Sequence, residues 1–155
     1  MRPYQAPAYS PANHTGTTNR RLICPLTVDS KYIELLHGTL TLSGSEQARA
    51  SPHMHPDMDQ VCYLLSGRAM ARILVPEEGG GRAKRKGAWR EEIMEKGDAC
   101  FFGKGVVHEV IALSGDEGQE NEGGGKEEVK KVELLVVYSP PYMEEPKTKT
   151  VTYRE

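Results

Sequence analysis

The spacing of the apolar residues constrains the fold most, because they occur in short runs separated by glycine-rich or polar turns. The periodicity of amphipathic helices is nearly absent from the chain. Such runs predict strands over 20–28, 31–44, 59–67, 68–75, 91–94, 98–102, 106–113, 131–139 and 149–153. Ser66 and Gly67 fall between two adjoining runs and predict a hairpin turn. This pattern favours an all-β fold, an antiparallel barrel or sandwich.

The composition excludes several classes of protein. A formal net charge of −2 provides no strong field for nucleic acid or an anionic membrane. The basic cluster at 82–86 is short, isolated and free of aromatic residues, so we expect no nucleic-acid partner. No apolar run approaches the length of about 18 residues needed to span a membrane. Cys24, Cys62 and Cys100 form no CxxC pair, so the sequence signals neither a disulfide framework nor a zinc ribbon, and we expect a reducing cytoplasmic location.

The chain of 155 residues suits one domain. Two internal stretches are rich in glycine and charge and poor in apolar residues, which predicts long loops. The predicted organisation is a flexible segment at 1–19, a β core at 20–141 with loops at 76–91 and 115–131, and a tail or extra strand at 142–155.

Three histidines and a glutamine stand at positions that suit a metal site. His53 and His55 are one residue apart, which in a strand places both imidazoles on one face, roughly 6–7 Å apart. Gln60 begins the next apolar run and could add an amide oxygen. His108 falls on a mostly apolar strand face, where an imidazole needs a partner such as a metal ion. We interpret the other two histidines, at positions 14 and 37, as ordinary core or surface residues.

The complete pattern resembles the cupin superfamily, whose two motifs are G(x)5HxH(x)3–4E(x)6G and G(x)5PxG(x)2H(x)3N. His53, His55, Gln60 and Gly67 reproduce the first spacing, and 97–108 reproduces the second. The resemblance covers roughly 20 to 141. It implies a jelly-roll barrel that holds one divalent ion through His53, His55, Gln60 and His108. Such nitrogen and oxygen ligands do not select among Fe, Ni, Mn and Zn.

Three positions depart from the motifs. Gln60 replaces the usual glutamate, Gly103 the proline and Ala112 the asparagine. Four neutral ligands would leave the full charge on a divalent ion, which favours anionic substrates and Lewis-acid chemistry. Asp59 could supply a carboxylate through a strand bulge, but alternation places Gln60, and not Asp59, on the face shared with Cys62. Some similar cupins, including enzymes that ketonise unsaturated uronates, keep the same four ligands.

The resemblance implies a metal-dependent enzyme acting on a small oxygenated organic substrate, and we expect an oxidoreductase of the dioxygenase type. The alternatives are a non-redox isomerase, lyase or cyclase at the same site, or a non-catalytic cupin that binds a small ligand. No general acid or base is evident. Glu34, His37, Tyr63 and Glu109 are candidates, but their positions are more typical of structural or solvent-facing residues, and we name none as catalytic.

The resemblance also implies a homodimer. Apolar residues on the outer faces of two predicted strands suit a contact between sheets, although they would equally suit packing within the domain. These residues are Val61, Tyr63, Leu65, Val107 and Ile111.

Overall fold

Two antiparallel sheets enclose one apolar core. The computed structural model describes residues 6–43, 47–76, 87–114, 131–143 and 151–152. Its elements are β1 (Ala8–Tyr9), β2 (His14–Thr15), β3 (Thr17–Ile23), α1 (Pro25–Val28), β4 (Glu34–Thr41), β5 (Arg49–Met54), β6 (Asp59–Ser66), β7 (Arg68–Pro76), β8 (Gly87–Met94), β9 (Ala99–Phe102), β10 (His108–Leu113), β11 (Lys131–Ser139) and β12 (Val151–Thr152).

The first sheet has the strand order β1-β3-β4-β11-β6-β9, and the second has the order β12-β5-β10-β7-β8. The short strand β2 also pairs with β5. Several neighbours in these orders are distant in sequence, such as β4 with β11 and β5 with β10, because the chain passes repeatedly from one sheet to the other, as in a jelly roll. The prediction of an all-β antiparallel barrel is therefore confirmed.

The core follows from alternation along the strands of the first sheet. On β4, β11 and β6, every second side chain is buried against the opposite sheet. Burying a leucine or valine contributes roughly 1.5–3 kcal/mol, so these rows supply much of the stabilising apolar contact. The fully buried members of these rows include Leu36, Leu40, Leu64 and Val132.

Several elements differ from the sequence expectation. The strand predicted over 20–28 ends at Ile23, and the turn of helix α1 follows from Pro25, whose fixed φ suits a first helical position. The backbone N–H of Cys24 donates to Thr27 Oγ1 at 2.9 Å and closes this turn. No helix among the described residues is long and apolar enough to cross a membrane.

The two ends of the chain contribute strands to the barrel. Within the segment 1–19, which we expected to be flexible, β1 pairs with β3 and β2 pairs with β5. Near the other end, the tail or extra strand expected over 142–155 contains β12, which pairs with β5. Strand β8 begins at Gly87, inside the predicted loop 76–91. The rest of that loop, 77–86, and nearly all of the loop 115–131 lie outside the described residues.

Two glutamates are buried with arginine partners. Glu34 accepts from Arg21 Nε at 2.8 Å. Glu109 accepts from Arg72 Nη1 at 3.0 Å and lies 3.5 Å from Arg49 Nη1. Both carboxylates are about 1% exposed, so their charge is stabilised by these partners and not by water.

The apolar residues that we expected on outer strand faces are exposed in part and buried in part. Val61 and Tyr63 on β6 are 37% and 42% exposed, and Phe101 on the neighbouring strand β9 is 64% exposed. Val107 and Ile111 are each 3% exposed, because they pack within the chain. The expectation that these last two residues form part of a subunit contact is therefore not supported by their burial. Leu65 is half-buried.

Candidate metal centre

Three buried histidines converge at one end of the barrel. His53 lies in β5, His55 follows that strand directly, and His108 begins β10. Because β5 and β10 pair with His53 opposite His108, the second motif is brought against the first. One ring nitrogen from each of the three histidines lies within 4.8 Å of the other two. Since histidine nitrogens bind Zn²⁺ at about 2.0–2.1 Å, small side-chain movements would close the three around one ion.

Two of the rings are oriented by backbone carbonyl groups. His53 Nδ1 lies 2.6 Å from Ser51 O, and His108 Nδ1 lies 2.9 Å from Val106 O. A proton on Nδ1 that is donated to a carbonyl leaves Nε2 with a free lone pair. Metal-binding histidines commonly have this second partner, which fixes the tautomer and the ring.

The site histidines are neutral at physiological pH. Burial lowers the pKa of His55 and His108 to about 3. Burial, assisted by the neighbouring His108 and His14, also lowers the pKa of His53 well below its usual value. Protons therefore compete weakly with a cation for these nitrogens.

Gln60 faces the same space, as alternation predicts. Its Oε1 lies 3.1 Å from His108 Nε2, and its Nε2 donates to Cys62 Sγ at 3.2 Å. With the neutral His108 protonated on Nδ1, both Nε2 and Oε1 are acceptors. Two buried acceptors at this separation repel each other unless a cation lies between them. Their spacing also suits adjacent ligands of one ion with bonds of about 2.1 Å.

His55 has the least satisfied ring of the group. Neither of its nitrogens has a hydrogen-bond partner of acceptable geometry among the described residues, although the Gln60 amide lies beside the ring. A buried polar group without a partner costs roughly 1–3 kcal/mol. A bound cation would satisfy one nitrogen, so the residues present fit the metal ion that the motifs imply.

Aromatic side chains enclose the histidines. The Phe102 ring stacks on His108, with centroids 4.2 Å apart and an interplanar angle of 10°. Tyr138 and Tyr142 meet His55 edge-on at 5.2 Å and 4.7 Å. Together they give the site apolar walls that limit the access of water.

A buried carboxylate holds one of these walls in place. Glu34 Oε2 accepts from the backbone N–H groups of Tyr142 at 3.0 Å and Met143 at 2.7 Å. Its other oxygen accepts from Arg21. Glu34 therefore fixes the segment that carries the Tyr142 ring against His55.

Backbone contacts join the two motifs. The N–H of Gly105 donates to His55 O at 2.7 Å, and the N–H of Lys104 donates to Asp59 Oδ1 at 3.0 Å. Gly105 has a φ of +76°, a conformation that favours glycine. Asp59 thus caps the turn at 103–105, and Gln60 is the residue that faces the histidines.

Sequence reasoning missed several neighbours of the site, among them His14 and two tyrosines. The His14 ring lies 5.0 Å from that of His53, since β2 pairs with β5. Tyr138 and Tyr142 contact His55. No short-range pattern in the sequence marks these residues, because each reaches the site through long-range strand pairing or a chain segment that folds back.

The four acid–base candidates occupy structural or solvent-facing positions outside the site. Glu34 holds the Tyr142 segment, and Glu109 pairs with two arginines. Tyr63 is on the exposed face of β6. His37 is half-buried on β4, between the buried residues Leu36 and Gly38. None of these four lies in the histidine group.

Comparison with solved structures supports the fold. KdgF from Halomonas sp. is 14% identical with a TM-score of 0.55, and the match covers 88% of each chain. The polyketide cyclase RemF from Streptomyces resistomycificus is 18% identical with a TM-score of 0.59, covering 100% of this chain and 86% of that one. Oxalate decarboxylase from Lactobacillus farciminis is 17% identical with a TM-score of 0.66, covering 98% of this chain and 35% of that one.

The chain thus spans about a third of that decarboxylase. No curated protein sequence matches it. The family model for cupins matches residues 26–120, which is more than half of the chain and includes both histidine motifs. Together with the two-sheet barrel and the buried histidines, this match shows that the chain belongs to the cupin family.

Proposed function

We propose that this cupin is a metal-dependent enzyme acting on a small oxygenated organic substrate, with His53, His55, Gln60 and His108 as its metal ligands. The contact that carries the proposal is the 3.1 Å approach of two acceptors, His108 Nε2 and Gln60 Oε1, among buried neutral imidazoles. A divalent ion held there would supply Lewis-acid polarisation of a substrate oxygen or, if redox-active, a centre for oxidation.

The charge of the ligand set favours an anionic substrate. Three neutral imidazoles and one amide leave a divalent charge without an offsetting carboxylate. An enolate, carboxylate or phenolate oxygen would supply that missing negative charge. Tyr138, Tyr142 and Phe102 would orient the rest of a small molecule and exclude water from it.

The reaction class has two candidates. The first is an oxidoreductase of the dioxygenase type, which needs Fe, Ni or Mn, and a site of imidazole and amide ligands accepts all three. The second is a non-redox isomerase, lyase or cyclase. The second gains support from two structurally similar proteins, one named as a decarboxylase and the other as a polyketide cyclase.

Metal binding is the first test. Protein purified without a histidine tag would be stripped with a chelator and titrated calorimetrically with Zn²⁺, Ni²⁺, Mn²⁺ or anaerobic Fe²⁺. We expect one ion per chain. His108→Ala should abolish this binding, whereas the matched change His37→Ala, outside the group, should preserve it.

The proposal would be overturned if none of the four ions binds. That result would indicate instead that the Gln60 amide is turned, so that its N–H donates to His108 Nε2 and its oxygen accepts from the Cys62 thiol. Equal losses in the two alanine variants would show that the binding is not at this site.

Oxygen consumption separates the reaction classes. Protein loaded with the bound metal would be mixed with a β-diketone, a flavonol or a phenol in an oxygen electrode. Oxygen uptake that requires the substrate and is lost in His108→Ala supports the dioxygenase. Substrate conversion without uptake supports the isomerase, lyase or cyclase. Metal-dependent binding without conversion of an extended substrate panel supports the alternative, a binding module.

We also propose a homodimer that uses the exposed outer face of the first sheet. Val61, Tyr63 and Phe101 form an apolar surface on adjacent strands, and such surfaces commonly mark interfaces. Sedimentation should give twice the chain mass, and Phe101→Lys should shift it toward the monomer. A wild-type monomer at micromolar concentration would refute this proposal.

A further inference from the structure

Two cysteines face each other across adjacent strands beside the metal centre. Cys62 on β6 is directly opposite Cys100 on β9, in the register that pairs Gln60 with Phe102. Cys62 is buried, and Cys100 is partly exposed. Residues directly opposite each other on antiparallel strands point to the same face of the sheet, so the two thiols are neighbours. Their positions therefore allow the two cysteines to react with each other.

The fold allows these sulfurs to approach further. Directly opposed residues have Cβ atoms about 4.5–5.5 Å apart, and a disulfide requires about 3.5–4.5 Å. The difference of about 1 Å must come from strand movement. Strand β9 has four residues and lies at the edge of the first sheet, with β6 as its neighbour there, so it is the element best able to move.

An oxidant can reach the pair from one side. Cys100 lines a cavity of about 230 Å³, together with Ala71, Ile73 and Phe102. A cavity of this size admits a molecule as small as hydrogen peroxide. Cys62 is not among the lining residues and is 1% exposed, so a peroxide in the cavity meets Cys100 first.

Cys62 also contacts a predicted metal ligand. Gln60 Nε2 donates to Cys62 Sγ at 3.2 Å, while the amide oxygen of the same side chain faces His108. The sulfur therefore helps to set the direction in which Oε1 points. Drawing this sulfur toward Cys100 would remove the hydrogen bond that orients the amide.

We propose that Cys62 and Cys100 form a reversible intramolecular disulfide in the presence of a peroxide, and that this bond weakens metal binding through Gln60. The sulfur of one cysteine, as its thiolate, attacks the peroxide and breaks the O–O bond, which gives a sulfenic acid and, with one proton, one water. The sulfur of the other cysteine then displaces the sulfenic oxygen as a second water. The two thiols lose two electrons and two protons in all, and the peroxide gains them.

The disulfide is tested without reference to the metal. Folded, metal-free protein would be treated with hydrogen peroxide, denatured, alkylated and mapped by mass spectrometry. We expect a Cys62–Cys100 peptide and alkylation of Cys24 alone. Cys24→Ser should retain the linked peptide, and Cys62→Ser or Cys100→Ser should lose it. Alkylation of both Cys62 and Cys100 after treatment, or oxidation to sulfinic acid without a link, would overturn the proposal.

The effect on metal binding rests on the proposed function and is measured separately. Outer-shell changes typically cost about 10–100-fold in metal affinity, and we expect a loss in this range on oxidation, restored by dithiothreitol. Cys100→Ser should bind metal with the same affinity before and after peroxide. An unchanged affinity in oxidised wild-type protein would overturn the link through Gln60. If the reduced protein binds no metal, the proposed function is contradicted. The disulfide is still tested in that case, because the peptide mapping does not depend on the metal.

Discussion

The buried carboxylate of Glu34 allows a direct test of how burial sets the strength of an ion pair. The Arg21–Glu34 pair and the Arg90–Glu92 pair have the same N–O distance, 2.8 Å. Their exposure differs: the side chains of the first pair are 23% and 1% exposed, and those of the second are 67% and 63% exposed. Distance alone therefore predicts equal contributions to stability, and burial predicts unequal ones.

The expected cost of Glu34→Gln follows from its partners. The carboxylate accepts from Arg21 Nε and from two backbone N–H groups, those of Tyr142 and Met143. Hydrogen bonds to a charged group contribute about 1.5–3 kcal/mol each. A glutamine keeps one acceptor oxygen and turns an N–H₂ group toward at least one of these donors. Because Arg21 remains partly hydrated, we expect a net loss of about 2–4 kcal/mol, below the upper range for breaking a buried pair.

Equilibrium unfolding in urea measures the difference. With a slope of about 2 kcal/mol/M, Glu34→Gln should lower the midpoint by about 1–2 M. The control Glu92→Gln should change the free energy of unfolding by no more than about 0.5 kcal/mol. Similar losses in the two variants, or a loss below about 1 kcal/mol for Glu34→Gln, would refute the reasoning that burial strengthens the bonds of the Glu34 carboxylate.

Three further predictions concern the core and the site. Burial lowers the pKa of His55 and His108 in the folded protein to about 3, so their contribution to stability is fully present above pH 6.5 and is lost as the pH falls toward 3. Metal-free protein should therefore lose up to about 1.4 kcal/mol of unfolding free energy per pH unit for each histidine. A urea midpoint that is the same at pH 7 and pH 5 would contradict this. Gln60→Glu should raise the affinity for a divalent ion at least about tenfold in calorimetry, while Gln47→Glu, at an exposed position, should not. Leu64→Ala should cost about 2–5 kcal/mol in urea unfolding, and an equal cost for the exposed Leu26→Ala would contradict the assigned core.

Alternation made part of the fold and site predictable. Because side chains along a strand alternate between two faces, the spacing of His53 and His55 and the face shared by Gln60 and Cys62 could be worked out from the sequence. The structure places Gln60, and not Asp59, toward the histidines. The limits of β6, β7 and β11 follow from their apolar runs and the turn at Gly67.

Long-range pairing was not predictable in the same way. His14 and Tyr142 reach the site because β2 adds to β5 and because Glu34 binds the backbone after β11. The burial of Ile111 was also missed, since alternation separates the two faces of a strand without showing whether both are covered. Glu109 would be expected in water, and its arginine partners make its burial possible.

The division of the ligands between sheets has a consequence for local opening of the barrel. Gln60 belongs to the first sheet, while His53 and His108 belong to the second. A single ion bound by all three would tie the sheets together as a removable cross-link. Backbone amides on β6 and β10 would then exchange with solvent deuterium slowly and at matched rates when the ion is bound. Chelation should speed up both strands together, and it should leave the amides of β3, which carries none of these ligands, nearly unchanged.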